Sequence, residues 1–221
     1  MAAITTHQSL RQADSSHKIC MFGPQYCMPG PFQIMLREKF FKLREDCFKI
    51  TDSAGNLFFQ VKNPWKTMRE KHIMLDAYGN EICKMKKKIM ALRYTWHMNA
   101  GEGMEQRMVT MAFRHFALHT KCYVYVYEPP YPHEDDDTDY SNVKPLIMMK
   151  ASVMGFDIKI YNGETDELYA RMSKDVAREL FTSQDFYCLS IEPDIDVAFM
   201  TALALMWDYA TTDMKNDGAG G

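Results

Sequence analysis

The sequence is poor in features that would place it outside the cytosol or give it a chemistry. Met1 to Leu10 is polar, with no basic n-region and no apolar h-region, so it does not read as a secretory signal. Ala2 stands where N-myristoylation needs Gly, and the Gly-rich end has no prenylation cysteine. Among six cysteines (Cys20, Cys27, Cys47, Cys83, Cys122 and Cys188) there is no Cys-x-x-Cys pair. Their spread through a large domain fits reduced, mostly buried thiols better than a disulfide framework. Charge of one sign is not in excess either: the formal net charge is −3, which argues against nucleic acid as a partner but leaves room for a local basic patch. No nucleophile elbow, phosphate-binding Gly loop or paired-carboxylate cleft is visible. The expectation is a non-enzymatic cytoplasmic protein with no cofactor and no metal.

What the chain does contain is a β rhythm. Its 221 residues are 47% apolar and 25% charged, enough for one large core. Short apolar-alternating runs are predicted as strands at Phe40–Leu43, Cys47–Thr51, Leu57–Lys62, His72–Asp76, Ile82–Lys86 and Met90–His97. Six more follow at Gln106–Phe113, Lys121–Glu128, Leu146–Ala151, Phe156–Tyr161, Leu168–Met172 and Phe186–Ile191. Turn residues separate many of them, so the pattern implies an antiparallel meander closing into a barrel or sandwich. One unit recurs with a period of 24 residues: Asp52-Ser-Ala-Gly55-Asn56 before Val61-Lys62, and Asp76-Ala-Tyr-Gly79-Asn80 before Met85-Lys86. Each copy reads as strand, Gly-Asn turn, strand.

Two helices break the β pattern. Ser173 to Phe181 is predicted as a short amphipathic helix with Ser173 as N-cap. The other begins near Pro193-Asp194 and is apolar all round, through Val197, Phe199, Ala202, Leu203, Leu205 and Met206 to Trp207. Val197 to Trp207 is 11 residues, against about 20 for a bilayer span, so this helix is expected to be buried in protein and not to cross a membrane. The organisation that follows is a polar, disordered arm over 1–30, one domain over 31–212 with an acidic, Pro-rich loop at 129–142, and a flexible tail over 213–221.

The C-terminal third carries a resemblance. Ser183-Gln-Asp185-Phe-Tyr187, a strand to Ile191, Pro193, Asp196-Val-Ala-Phe199 and an apolar helix ending in Asp208 resemble the end of the LURP-one-related family. The two Asp-x-x-Gly-Asn hairpins are similar to that family's as well, and the likeness covers about residues 31–212. It implies a Tubby C-terminal-like fold, mainly β: a twelve-stranded antiparallel barrel threaded by the C-terminal helix, shared with Tubby-like proteins and phospholipid scramblases. Tubby domains bind phosphoinositides through basic surface residues, scramblases work at membranes, and LURP-one-related proteins are linked to defence. The chain departs from the family pattern in the acidic insertion Pro129–Asn142 and in Asp194, where Gly is frequent.

Lys84, Lys86, Lys87, Lys88 and Arg93 form the strongest charge feature, in a stretch (Arg37–Arg93) with 14 basic against 7 acidic residues. Lys84, Lys86 and Lys88 fall on one strand face and suit an anionic phospholipid or phosphoinositide headgroup. The competing reading is a solvated face that blocks edge-to-edge aggregation. The acidic run Glu128–Asp139 lacks the spacing of a calcium loop and reads as a solvated excursion. His115, His119 and Cys122 would suit a metal on a helix, but their surroundings read as β. Tyr123, Tyr125 and Tyr127 read as a barrel-wall stripe. The expected function is a monomeric adaptor, peripheral at a membrane, that binds anionic lipid. The alternatives are a protein-interaction module with an unknown partner and no lipid role, or a scramblase-like membrane protein.

Overall fold

The computed structural model describes residues 18–37, 47–63, 71–88, 94–100, 107–116, 119–127, 144–152, 157–174 and 186–218. Twelve strands form a closed antiparallel barrel. They are β1 (Phe32–Arg37), β2 (Cys47–Asp52), β3 (Leu57–Lys62), β4 (Lys71–Asp76), β5 (Glu81–Lys87) and β6 (Thr95–Ala100). The second half is β7 (Val109–Phe116), β8 (His119–Val126), β9 (Ile147–Ala151), β10 (Asp157–Asn162), β11 (Leu168–Ser173) and β12 (Phe186–Ile191). Among the described residues one α-helix, α1 (Val197–Gly218), follows them. Each strand pairs with the next, and β1 closes the ring by pairing with β12 from Phe32↔Ile191 to Arg37↔Phe186. Closure leaves no sheet edge to be protected.

Period-two alternation sets which residues face in. On β10, Ile158, Ile160 and Asn162 are buried while Asp157, Lys159 and Tyr161 are partly exposed. The same rule sends Phe59 and Val61 of β3, Cys83 and Met85 of β5, and Val109, Met111 and Phe113 of β7 into one core. That core closes around α1. Every residue from Val197 to Met206 is at most 1% exposed, so the helix is buried on all sides, as its uniformly apolar sequence implies. Ala198, Ala202 and Ala204 let strands approach it, and Phe199, Leu203, Leu205 and Met206 fill the remaining space.

The helix is longer than the apolar run suggests. Its 22 residues rise about 33 Å, so length does not exclude a membrane span. Composition does: beyond Trp207 come Asp208, Asp213, Lys215 and Asp217. No helix among the described residues is long and apolar enough to cross a membrane. Residues 213–218, expected in a flexible tail, are helical.

Both ends of α1 are fastened. At its start Asp196 is the N-cap, its Oδ1 accepting the Phe199 N–H at 2.9 Å. Its Oδ2 accepts the N–H groups of Met21 and Phe22 at 2.8 and 2.7 Å. Residues 18–30, assigned to a polar arm on sequence, are therefore packed chain. Ile19 and Cys27 are buried and bridge to Ile195 and Asp196. A polar composition hid this, because the arm is held by backbone groups bonded to one buried carboxylate. Near the other end, Tyr209 stacks on His72 of β4 with ring centroids 3.7 Å apart, and Trp96 of β6 packs alongside.

The repeat Asp-x-x-Gly-Asn builds the same turn twice. Asp52 Oδ1 accepts N–H from Ala54 and Asn56, and Asp76 Oδ1 accepts from Tyr78 and Asn80. Gly55 and Gly79 have φ of 85° and 92°, the left-handed region that favours glycine.

Several strand bounds differ from expectation. The first strand is Phe32–Arg37, whose apolar run Ile34-Met35-Leu36 hides its alternation, whereas Phe40–Leu43 lies outside the described residues. β6 begins five residues after Met90 and runs three past His97, where Asn99 and Ala100 still pair with β5. The predicted helix at 173–181 lies outside the described residues after Lys174, and so does the acidic segment 129–142.

Candidate functional site

β5 presents its cations in two directions. Cys83 and Met85 are fully buried on the core face, which sends Lys84 and Lys86 to the outer wall. Lys88 follows the strand and donates its backbone N–H to Thr95 at 2.8 Å. Lys87 has the opposite parity and turns toward the barrel's end, where its Nζ meets Asp213 of α1 at 3.0 Å and lies over the Tyr94 ring. Lys87 thus belongs with the helix anchor and not with the other lysines. Lys84 is ion-paired to Glu81 at 2.9 Å, with both side chains under 20% exposed. Arg93 lies outside the described residues.

Register adds neighbours that linear spacing cannot show. Lys71 of β4 stands directly opposite Lys86, and Lys86 stands opposite His97 of β6. His97 is buried on the outer side of the wall, its Nδ1 3.1 Å from Thr110 Oγ1, and Tyr127 donates to that same hydroxyl at 3.3 Å. The Arg107 guanidinium lies over the Tyr127 ring at 5.0 Å. Burial holds the His97 imidazole down to about 3, helped by the positive charges of Arg107, Lys88 and Lys86. His97 is neutral at physiological pH and sits in a field of three cations. This polar cluster had no linear signal, since its members come from four strands and their flanks.

A second cluster lies at the start of α1. Donor atoms of Cys20, Cys27 and Asp196 are all within 4.8 Å of one another. A soft divalent cation suits two thiols and a carboxylate. The carboxylate is already committed, however, to three backbone N–H groups, and burial pushes the Cys27 thiol up, toward its protonated form. The cluster is accounted for as the clamp between arm and helix. Burial likewise raises Cys83 and Cys122. Cys122 faces the core of β8, and the side chains of His115 and His119, the other members of that candidate metal set, lie outside the described residues. Tyr125 and Tyr127 are buried against the outer wall and Tyr123 is partly exposed, which is the wall stripe expected of them.

A barrel closed by its first and last strands, with a capped and buried C-terminal helix, sets the frame for comparison. The family model LURP-one-related matches residues 32–208, which run from β1 into α1. The chain belongs to the LURP-one-related family. Among similar proteins, LURP-one-related 15 of Arabidopsis thaliana is 26% identical over 189 residues, covering 84% of this chain and 82% of its own. LURP1 of the same plant is 24% identical over 191 residues, covering 83% and 86%. An X-ray structure of an Arabidopsis thaliana protein superposes with a TM-score of 0.60 at 22% identity, covering 86% of this chain and 96% of that one. At that identity the likeness speaks for the fold alone. The fold agrees with the Tubby-like architecture expected of this LURP-one-related chain.

Proposed function

We propose that the chain is a non-enzymatic module that binds anionic phospholipid peripherally through the outer wall of its barrel. The observation that carries this reading is the like-charge pair Lys71↔Lys86 in register on adjacent strands, beside the Lys86, Lys88 and Arg107 field around His97. Like charges directly opposite one another destabilise a sheet, and an anionic surface outside the wall would relieve that repulsion. A defence role, as the family link suggests, would then be that of an adaptor at a membrane. The scramblase-like alternative is not supported, because the apolar half of α1 is enclosed by the barrel.

A second reading has its own support. Lys84 and Lys87 are neutralised by Glu81 and Asp213, which leaves less charge on β5 than its sequence suggests and favours a protein-interaction module. Co-sedimentation with liposomes, with and without phosphoinositides and at two salt concentrations, separates the two. Binding that needs anionic lipid and weakens with salt supports the adaptor. Failure to sediment with any anionic vesicle at low salt leaves the protein-interaction module.

A further inference from the structure

A further row of positive charge lies farther round the barrel from β4 and β5, on β7 to β11, and it cannot be read along the chain. Arg114 of β7 pairs in register with Lys121 of β8, Lys121 with Lys150 of β9, Lys150 with Lys159 of β10, and Lys159 with Arg171 of β11. Five adjacent strands each contribute one cation to a single lateral row. Beyond Arg171 the row continues as neutral Ser190 and Gln33. With neighbouring strands about 4.8 Å apart, the basic row is about 19 Å wide. Lys121 and Lys150 adjoin the buried core residues Cys122 and Met149, and Lys159 and Arg171 lie between Ile158 and Ile160 and between Ala170 and Met172, so all four face outward.

This row is only partly neutralised. Asp157 holds Arg171 through two bonds of 2.8 and 2.9 Å, and Asp166 approaches Lys150 at 3.8 Å. Lys121 and Lys159 have no carboxylate partner among the described residues. The adjacent outward row is different in kind: Tyr123, Met148, Tyr161 and Leu168 are in register with one another and partly exposed. The Lys150 ammonium lies over the Tyr161 ring at 5.0 Å. Cations alongside half-buried tyrosine and aliphatic surface match the polar-apolar boundary of a bilayer, where ammonium heads reach phosphates and amphipathic rings sit at headgroup level.

We infer that the row Lys121–Lys150–Lys159–Arg171, with Arg114 at the next register position, is the main docking surface of this chain for an anionic bilayer leaflet. The inference rests on the lipid-binding reading above and moves its surface from β4–β5 to β7–β11. The barrel wall is convex, so the three lysines meet the leaflet squarely and Arg171 reaches it from the flank. Each basic group near an anionic surface adds an increment of attraction, and these increments are screened by salt. Nucleic acid fits less well, because the overall charge is −3 and the row's tyrosines are partly buried against neighbouring side chains.

The test uses the full chain and vesicles of phosphatidylcholine with phosphatidylserine, with and without phosphoinositide. Lys121→Glu/Lys159→Glu is compared with Lys86→Glu/Lys88→Glu and wild type, after circular dichroism has shown each to be folded. Lys121→Ser/Lys159→Ser serves if charge reversal impairs folding. The expected result is at least a tenfold loss of vesicle affinity in the β8/β10 variant and a smaller loss in the β5 variant. Wild-type binding that the β8/β10 variants retain in full overturns this inference and leaves the broader lipid reading standing. Absence of wild-type binding to every anionic vesicle removes both. Capture by single-stranded DNA or heparin without vesicle binding also overturns the inference, in favour of a soluble polyanion.

Discussion

The two faces of the same strands follow opposite rules. On β10 the inner residues Ile158 and Ile160 pack against α1 and its surroundings, while Lys159 between them stands in a row of cations. On β5 the inner Cys83 and Met85 are sealed, while Lys84 and Lys86 share the outer wall, with Lys71 the register partner of Lys86. Inside, each residue gains from its neighbours, since buried apolar surface contributes about 25 cal/mol per Å² and the helix leaves no side unpacked. Outside, neighbours in register repel one another, which folding alone does not require. The inner pattern is explained by stability. The outer pattern is the one on which the proposed docking surface rests.

Charging the inside is expected to have the largest effect. Ala202 is fully buried at the middle of the apolar half of α1. Burying an unpaired carboxylate costs several kcal/mol, against a total stability of about 5–15 kcal/mol for a domain. Ala202→Asp is therefore expected to abolish cooperative unfolding and soluble expression. A folded, soluble variant would falsify the enclosed helix. Next comes Asp196→Ala, which strips the N-cap and leaves the Met21 and Phe22 N–H groups without their acceptor. A loss of about 3 kcal/mol is expected in chemical denaturation, with new proteolytic cleavage within residues 18–30. If the stability falls but the arm stays protected, the arm is held by something other than this carboxylate.

Acid probes the boundary between the two faces. His72 stacks on Tyr209 with Trp96 alongside both rings, and burial holds its imidazole down to about 4 from an ordinary 6.5. The folded-state value is depressed, so the unfolded chain binds the proton first as pH falls through 6.5. The stability contributed by neutral His72 is complete above that pH and is lost on the way down to about pH 4. At pH 5 the expected loss from this residue is about 2 kcal/mol, with His97 adding to it over the same range. His72→Phe keeps a ring in the stack and removes the proton, and it is expected to flatten the stability curve between pH 7 and pH 5. An unchanged slope would place the titration elsewhere.

Legibility divided along the same line. The barrel and its buried helix could be read from period-two alternation, from the twin Asp-x-x-Gly-Asn turns and from a stretch that is apolar on all sides, because all three are local patterns. What escaped depended on distant residues. The arm at 18–30 is polar in composition, yet it is fixed by Asp196, more than 170 positions away. The cations of the lateral row are separated by 7 to 29 residues along the chain, so no window of the sequence contains them together. The run Lys84–Lys88 was conspicuous because it is contiguous, and contiguity on a strand is a poor guide to a shared face. Lys87 belongs to the helix anchor, and Lys84 has Glu81.

The smallest expected effect is the sharpest probe of the outer wall. Lys159 lies between Lys150 and Arg171 in register, and like charges directly opposite each other cost a few tenths of a kcal/mol per pair in the absence of an anion. Lys159→Ser removes both like-charge pairs and touches nothing in the core. At low salt it is expected to raise stability by up to about 0.5 kcal/mol, a shift in Tm of about 1–2 °C for a domain of this size. At high salt the gain should vanish, because screening has already removed the repulsion from wild type. Lys62→Ser is the control, since its register partners are Cys47 and Ile73 and no repulsion is relieved there. Anionic vesicles should reverse the ranking: bound lipid stabilises wild type by mass action and stabilises Lys159→Ser less. A variant less stable than wild type at low salt without vesicles would mean that Lys159 is held by favourable contacts within the protein, and the row would then be part of the fold's own stabilisation.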